Sequence, residues 1–250
     1  MVFGLVLYDF LFIVAASGFY GGAVFVGVRA FQALALHVHW SLAIVPAMVC
    51  AVFSLIVEVF LATSLCPPLK PGRYRMMKSV TFFSWVFRSM FRRILLDTGL
   101  RWLVFSSNVL RFLALRALGA KVHLSSSMSM DVMITDPALV DVHAGAMLGA
   151  RSLLAAHMFE RGRLILGRIE IGEGSLLATE VICAPGVVIG KNVIVKGRVS
   201  IAPYARIDDG ADIGAETLID TAARVGKKAR IDSRSHIKRR QVVEDGARFP

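Results

Sequence analysis

The chain has 250 residues, of which 56% are hydrophobic and only 19% charged, with a mean hydropathy of +0.63. An ordinary soluble domain is nearer ~45–50% apolar, so part of this chain is expected to lie in lipid. The formal net charge of +11 divides unevenly, −1 over residues 1–68, +9 over 69–119 and +3 over 120–250. A high pI built this way is a basic belt behind an apolar block, not a nucleic-acid-binding stripe interleaved with stacking aromatics.

From Val2 to Val28 the only formal charge is Asp9, and from Ser41 to Leu65 it is Glu58. Each run exceeds the ~20 residues that cross a bilayer core as helix, so residues 1–68 are predicted to form a two-helix transmembrane hairpin. No Lys or Arg precedes Arg29, and the apolar run is longer than a signal-peptide core, so the segment is expected to be retained. The connector from Arg29 to Trp40 is weakly charged. Lys70, Arg73, Arg75, Lys78, Arg88, Arg92 and Arg93 follow the second span, which places the connector outside and both termini in the cytoplasm of a bacterial inner membrane. Asp9 and Glu58 read either as functional intramembrane acids or as an interfacial acid and a partner for a belt arginine.

Residues 69–119 contain "SVTFFSWVFRSMFRRILLDTGLRWLVFSSNVLRFLALRAL", in which Phe, Trp and Leu alternate with arginines at helical spacings. These basic amphipathic helices are predicted to lie in the membrane interface, with Trp85 and Trp102 as anchors and arginines reaching headgroups. Packing of the helices on one another and on the two spans is the alternative.

Residues 120–250 carry an internal repeat of six. Counting by six from Ile165 reaches Ile171, Leu177, Cys183, Ile189, Val195, Ile201 and so on to Val243 without a miss. Four residues after each stands a small or β-branched residue, as at Ser175, Val181, Ala205 and Ala229. The residue directly after the aliphatic is often Gly or Asp, and His123 and His143 share that position; these are expected to take positive φ at tight corners. The pattern predicts a β-solenoid with the aliphatic and small residues inside.

Upstream, Val122, Met128 and Ile134 keep step, "DPAL" adds two residues, and Val142, Leu148 and Leu154 resume. Leu154 to Ile165 is then eleven residues, so "AAHMFERGRLIL" must bulge or loop out, and such an irregularity is where function is expected. His157 stands in that break, followed by Glu160. Acyl transfer needs a base of near-neutral pKa to take a proton from an attacking hydroxyl or amine, and an imidazole oriented by a carboxylate supplies it. His157 and Glu160 are therefore the catalytic candidates, with corner backbone amides for the oxyanion. His143 and His157 have no third histidine nearby, and no CxxC is present, so no metal site is predicted.

The hexads resemble the hexapeptide-repeat acyltransferases. The strings "KPGRY" at Lys70–Tyr74, "LRALGAKVH" at Leu115–His123 and "HMFERG" at His157–Gly162 further resemble the membrane-attached C-terminal domains of epsilon-poly-lysine-synthetase-type nonribosomal peptide synthetases and related stand-alone proteins. The resemblance implies a left-handed parallel β-helix of about three hexads per coil, behind the α-helical membrane anchor. It also implies a homo-oligomer, a trimer above all, with sites between adjacent subunits. It carries His157, Glu160 and Gly162 over to the family's motif, although Arg161 stands where an acid is common. The implied activity moves an acyl group from acyl-CoA or an acyl-carrier-protein thioester to a hydroxyl or amine of a lipid-linked or peptidic acceptor, with no permanently bound cofactor. Membrane lipids and an acyl carrier protein are the implied partners, and nucleic acid is not. A non-catalytic scaffold that recruits enzymes to the membrane is the alternative.

Overall fold

The computed structural model describes the backbone of residues 2–250 and the side chains from Val6 onward. Helix α1 (Val2–Ala35) and helix α2 (Trp40–Leu65) form an antiparallel hairpin, and both are long and apolar enough to cross a membrane. Helix α1 continues past Val28, the end expected from the charge pattern, because nothing between Arg29 and Ala35 breaks a helix. Small residues bring the two helices together: Gly27 lies against Ala51, and Gly22 faces the Glu58 carboxylate. Glu58 accepts a hydrogen bond from the Ser54 hydroxyl at 2.8 Å and pairs with no belt arginine, so that alternative is set aside. Asp9 is exposed.

Three further helices follow, α3 (Val80–Leu96), α4 (Leu100–Ser106) and α5 (Asn108–Ala117). Ser79 and Ser107 start α3 and α5 by accepting the backbone N–H of Phe82 and Leu110, orphan donors that the helix cannot satisfy internally. The end of helix α3 meets α1 through side chains: the Tyr20 hydroxyl donates to the Ile94 carbonyl at 2.6 Å, and Arg93 stacks 4.4 Å over the Phe12 ring.

Belt arginines are mortar rather than headgroup contacts at several positions. Arg88 donates to the Thr63 and Cys66 carbonyls at the end of α2, Arg101 to Val132, and Arg111 to Met128 and Ser126. Burial pushes all three guanidinium groups below their ordinary pKa. Each donates to backbone carbonyls at an element end or a solenoid corner, and Arg101 and Arg111 tie the belt to the first coil of the solenoid. The packing alternative therefore describes these residues, while Lys70, Arg73, Arg75 and Lys78 remain exposed.

The solenoid has three parallel sheets of seven, seven and six strands, about seven turns in all. One sheet stacks Val142, Ile171, Ile189 and Ile207, the next Leu148, Leu177 and Val195, and the third Leu154, Cys183 and Ile201. Every one of these is buried, as are the small residues four positions on. Three hexads therefore make one turn, and each aliphatic sits directly above its equivalent eighteen residues earlier except where the chain is interrupted. Cys183 is sealed in this stack, and burial pushes its thiol up to about 12, which leaves it an apolar core residue.

The corner chemistry differs from the sequence expectation. Along the regular coils from Ile171 onward, positive φ falls three residues after each aliphatic, at Gly174, Glu180, Gly186, Asn192 and their equivalents, and not at the residue next to it; His123 and His143 are not among the positive-φ residues. The glycines directly after the aliphatics serve close approach instead. A Cβ on Gly172 would stand 2.2 Å from the Gly190 carbonyl oxygen, and one on Gly214 2.4 Å from the Ser233 nitrogen. Neighbouring coils touch through backbone there, so only a residue without Cβ fits.

Candidate active site

The eleven-residue break is a β-hairpin. His157–Glu160 pairs antiparallel with Arg163–Leu166 around Arg161 and Gly162, and Gly72–Arg75 adds a third strand from the segment before α3. Ile165 belongs to this appendage, opposite Met158 and Arg73, so the solenoid register proper resumes at Ile171 rather than Ile165. Both irregularities leave the same sheet. "DPAL" follows Ile134 and the hairpin follows Leu154, and these two residues are paired neighbours on adjacent coils. The extra residues accordingly emerge side by side at one edge.

That stacking brings Asp136 to His157. His157 Nδ1 and Asp136 Oδ2 are 2.7 Å apart, and the aspartate side chain is 2% exposed against 24% for the imidazole. Asp136 also accepts the Trp85 indole N–H at 2.7 Å on Oδ1 and the Thr135 hydroxyl at 2.5 Å on Oδ2. A buried carboxylate is costly unless hydrogen-bonded, and three donors converge on this one. With Nδ1 held by the carboxylate as donor, Nε2 carries the lone pair, and among the described residues it has no hydrogen-bond partner. Trp85 and Phe159 flank the imidazole, with ring centroids 5.0 and 5.6 Å away. The arrangement is an imidazole with a fixed tautomer, roofed by aromatic rings and open at one nitrogen, which is what proton abstraction requires.

Glu160 is not brought to His157. Side chains alternate across a strand, so His157 and Phe159 share the face toward Trp85 while Glu160 is on the other, exposed and beside Arg163. The carboxylate expected to orient the imidazole is Asp136 instead. Its segment is the two-residue insertion "DPAL" after Ile134. Its role was hidden because the partner is 21 residues away and the second donor, Trp85, lies in a helix of the belt.

Elsewhere, His143 lies 3.2 Å from Glu170, and His123 is hydrogen-bonded to the Ser125 hydroxyl, both at the surface. Among the described residues no three His, Cys, Asp or Glu side chains converge as metal ligands would. A cavity of about 650 Å³ forms an apolar groove between α2 and α5 rimmed by Arg116 and Lys121, and it shares no residue with the dyad.

No protein-family profile matches the chain, and no curated protein matches it. Among solved structures, it is similar to a hexapeptide transferase family protein from Anaplasma phagocytophilum, with 17% identity over 49% of this chain and 72% of that one at a TM-score of 0.37. It is similar to a variant of AntD, an N-acyltransferase from Bacillus cereus in complex with dTDP and coenzyme A, with 13% identity over 52% and 79% at a TM-score of 0.41. A hexapeptide-repeat-containing acetyltransferase from Vibrio cholerae shows 16% identity over 58% and 78% at a TM-score of 0.37. By its own repeat and strand register, this chain is a hexapeptide-repeat parallel β-solenoid joined to an N-terminal helical region with two long apolar helices.

Proposed function

We propose that this protein is a membrane-anchored acyltransferase in which His157, oriented by Asp136, is the general base. The observation that carries the reading is the buried, three-donor Asp136 presenting His157 with its Nε2 unoccupied at an edge of the solenoid. In the proposed reaction Nε2 takes the proton of an acceptor hydroxyl or amine as its oxygen or nitrogen attacks a thioester carbonyl. The tetrahedral intermediate then expels the thiolate, and the imidazolium returns its proton to the leaving sulfur. Asp136 stabilises the imidazolium between these two transfers.

The donor is an acyl-CoA or an acyl-carrier-protein thioester, as the hexad resemblance implies, and the acceptor is lipid-linked or peptidic. The narrower resemblance to the epsilon-poly-lysine-synthetase-type domains forms part of this proposal. The membrane assignment rests on α1 and α2 and on the exposed cations that follow them, with both termini in the cytoplasm of the bacterial inner membrane. Reporter fusions in the 36–39 connector are expected outside and fusions after Pro250 inside. Assembly as a trimer is supported by the exposed apolar residues Met133, Ile182 and Leu218 stacked up one solenoid face. In nanodiscs, mass photometry is expected to give three times the 27.3 kDa chain.

The deciding experiment is thiol release from acyl-CoA, followed with metabolite and lipid profiling of a deletion strain complemented by wild type or His157→Ala. Restoration of the missing product by wild type alone supports the enzyme. Equal restoration by both, with the variant folded, moves the non-catalytic scaffold to the front.

A further inference from the structure

The hairpin's outer face carries an unbalanced cluster of arginines that the dyad does not use. Strand alternation puts Arg73, Arg75 and Arg163 on the face opposite His157, and Arg161 stands at the turn. Arg75 is directly across from Arg163 in the antiparallel register, a like-charge pair that opposes folding of this small sheet. Arg73, Arg161 and Arg163 line a cleft of about 270 Å³ with Ile165 as its apolar floor and Glu160 as its one acid.

On the solenoid several arginines are matched: Arg206 and Arg224 grip Asp208, and Arg198 and Arg234 grip Glu216. Among the described residues, none of the four hairpin arginines makes an ion pair or a side-chain hydrogen bond. The turn sharpens the contrast. Arg161 has φ +47 and Gly162 φ +71, a two-residue turn in which Asn or Asp is favoured ahead of the glycine, yet an arginine is held there at the mouth of the cleft.

We propose that this face is a phosphate-binding site for a phosphomonoester or diphosphate group, independent of the chemistry assigned to His157. Planar guanidinium groups from three strand or turn positions around one cleft match the geometry of a phosphate, and the bound anion relieves the Arg75–Arg163 repulsion. The strand bearing Arg73 and Arg75 begins seven residues after α2 ends, so the phosphate comes either from a lipid headgroup or from a water-soluble substrate.

The test uses the full chain in neutral detergent. One arm titrates inorganic pyrophosphate by calorimetry; the other measures retention of phosphatidic acid against phosphatidylcholine by native mass spectrometry. Saturable binding is expected in at least one arm, weakening as salt rises. Arg163→Gln and Arg73→Gln are each expected to weaken it about tenfold or more, and Arg230→Gln, on a distant coil, to leave it unchanged. Glu160→Gln removes the cleft's acid and is expected to tighten it. Pyrophosphate binding without lipid preference identifies a soluble ligand, and selective phosphatidic acid retention lost in the Arg163 variant identifies a headgroup. No saturable binding in either arm, or binding indifferent to Arg163→Gln and Arg73→Gln in protein that melts like wild type, overturns the proposal. So does weaker binding on Glu160→Gln.

Discussion

Asp136 and His157 meet at 2.7 Å because two insertions leave the same sheet on adjacent coils. Neither residue would reach the other from a regular hexad, whose polar positions face solvent. The contact is a product of two departures from the repeat that stack on one another.

If His157 is the base, His157→Ala lowers turnover ~10²–10⁴-fold with melting temperature and oligomer size little changed. Asp136→Asn lowers it less severely, because the imidazole loses its orientation and its counter-charge but not its nitrogen. Glu160→Gln leaves acyl transfer at wild-type rate under saturating substrate. Steady-state thiol release and thermal melting on the same preparations check all three.

Trp85→Phe keeps the aromatic roof but deletes the indole N–H bonded to Asp136 Oδ1. A buried acceptor deprived of a donor costs ~1–3 kcal/mol, so chemical denaturation is expected to show that loss together with reduced turnover. Trp102, exposed on α4, is the control, and Trp102→Phe is expected to be neutral in both measurements.

The register is checked with one residue type in two environments. Ile207 is fully buried and Ile194 is 45% exposed. Ile207→Ala is expected to cost ~2–5 kcal/mol, and Ile194→Ala to stay within about 0.5 kcal/mol in the isolated subunit. Gly214→Ala is expected to cost at least ~1–3 kcal/mol through coil-to-coil overpacking, whereas Gly197→Ala, with one contact at 3.3 Å, is expected to cost less.

Acid stability reports on Asp208. Burial raises its pKa, but hydrogen bonds from Arg206 and Arg224 outweigh that and hold it below the ordinary 3.8. A depressed carboxylate contributes stability that is complete above the unfolded value and is lost as pH falls through the folded one. Melting temperature is therefore expected to drop as pH falls below about 4, and Asp208→Asn to lower stability at neutral pH while flattening that drop.

The hexads alone determined the solenoid, the inward aliphatics and the place where the coil must break, because a period of six with buried positions admits little else. Composition alone determined the two apolar helices, since length and hydropathy are local properties. The corner φ values were misplaced by two residues from sequence. In sequence the glycines suggest conformational freedom, whereas their tolerance for close backbone approach is a property of the neighbouring coil. His157 was legible as the residue in the break, but its partner was not. Glu160 is near in sequence yet faces away by strand alternation, and Asp136 and Trp85 arrive from the preceding coil and from α3. Local pattern reads period and polarity; which carboxylate meets which imidazole depends on contacts between distant segments, and only the tertiary structure brings those together.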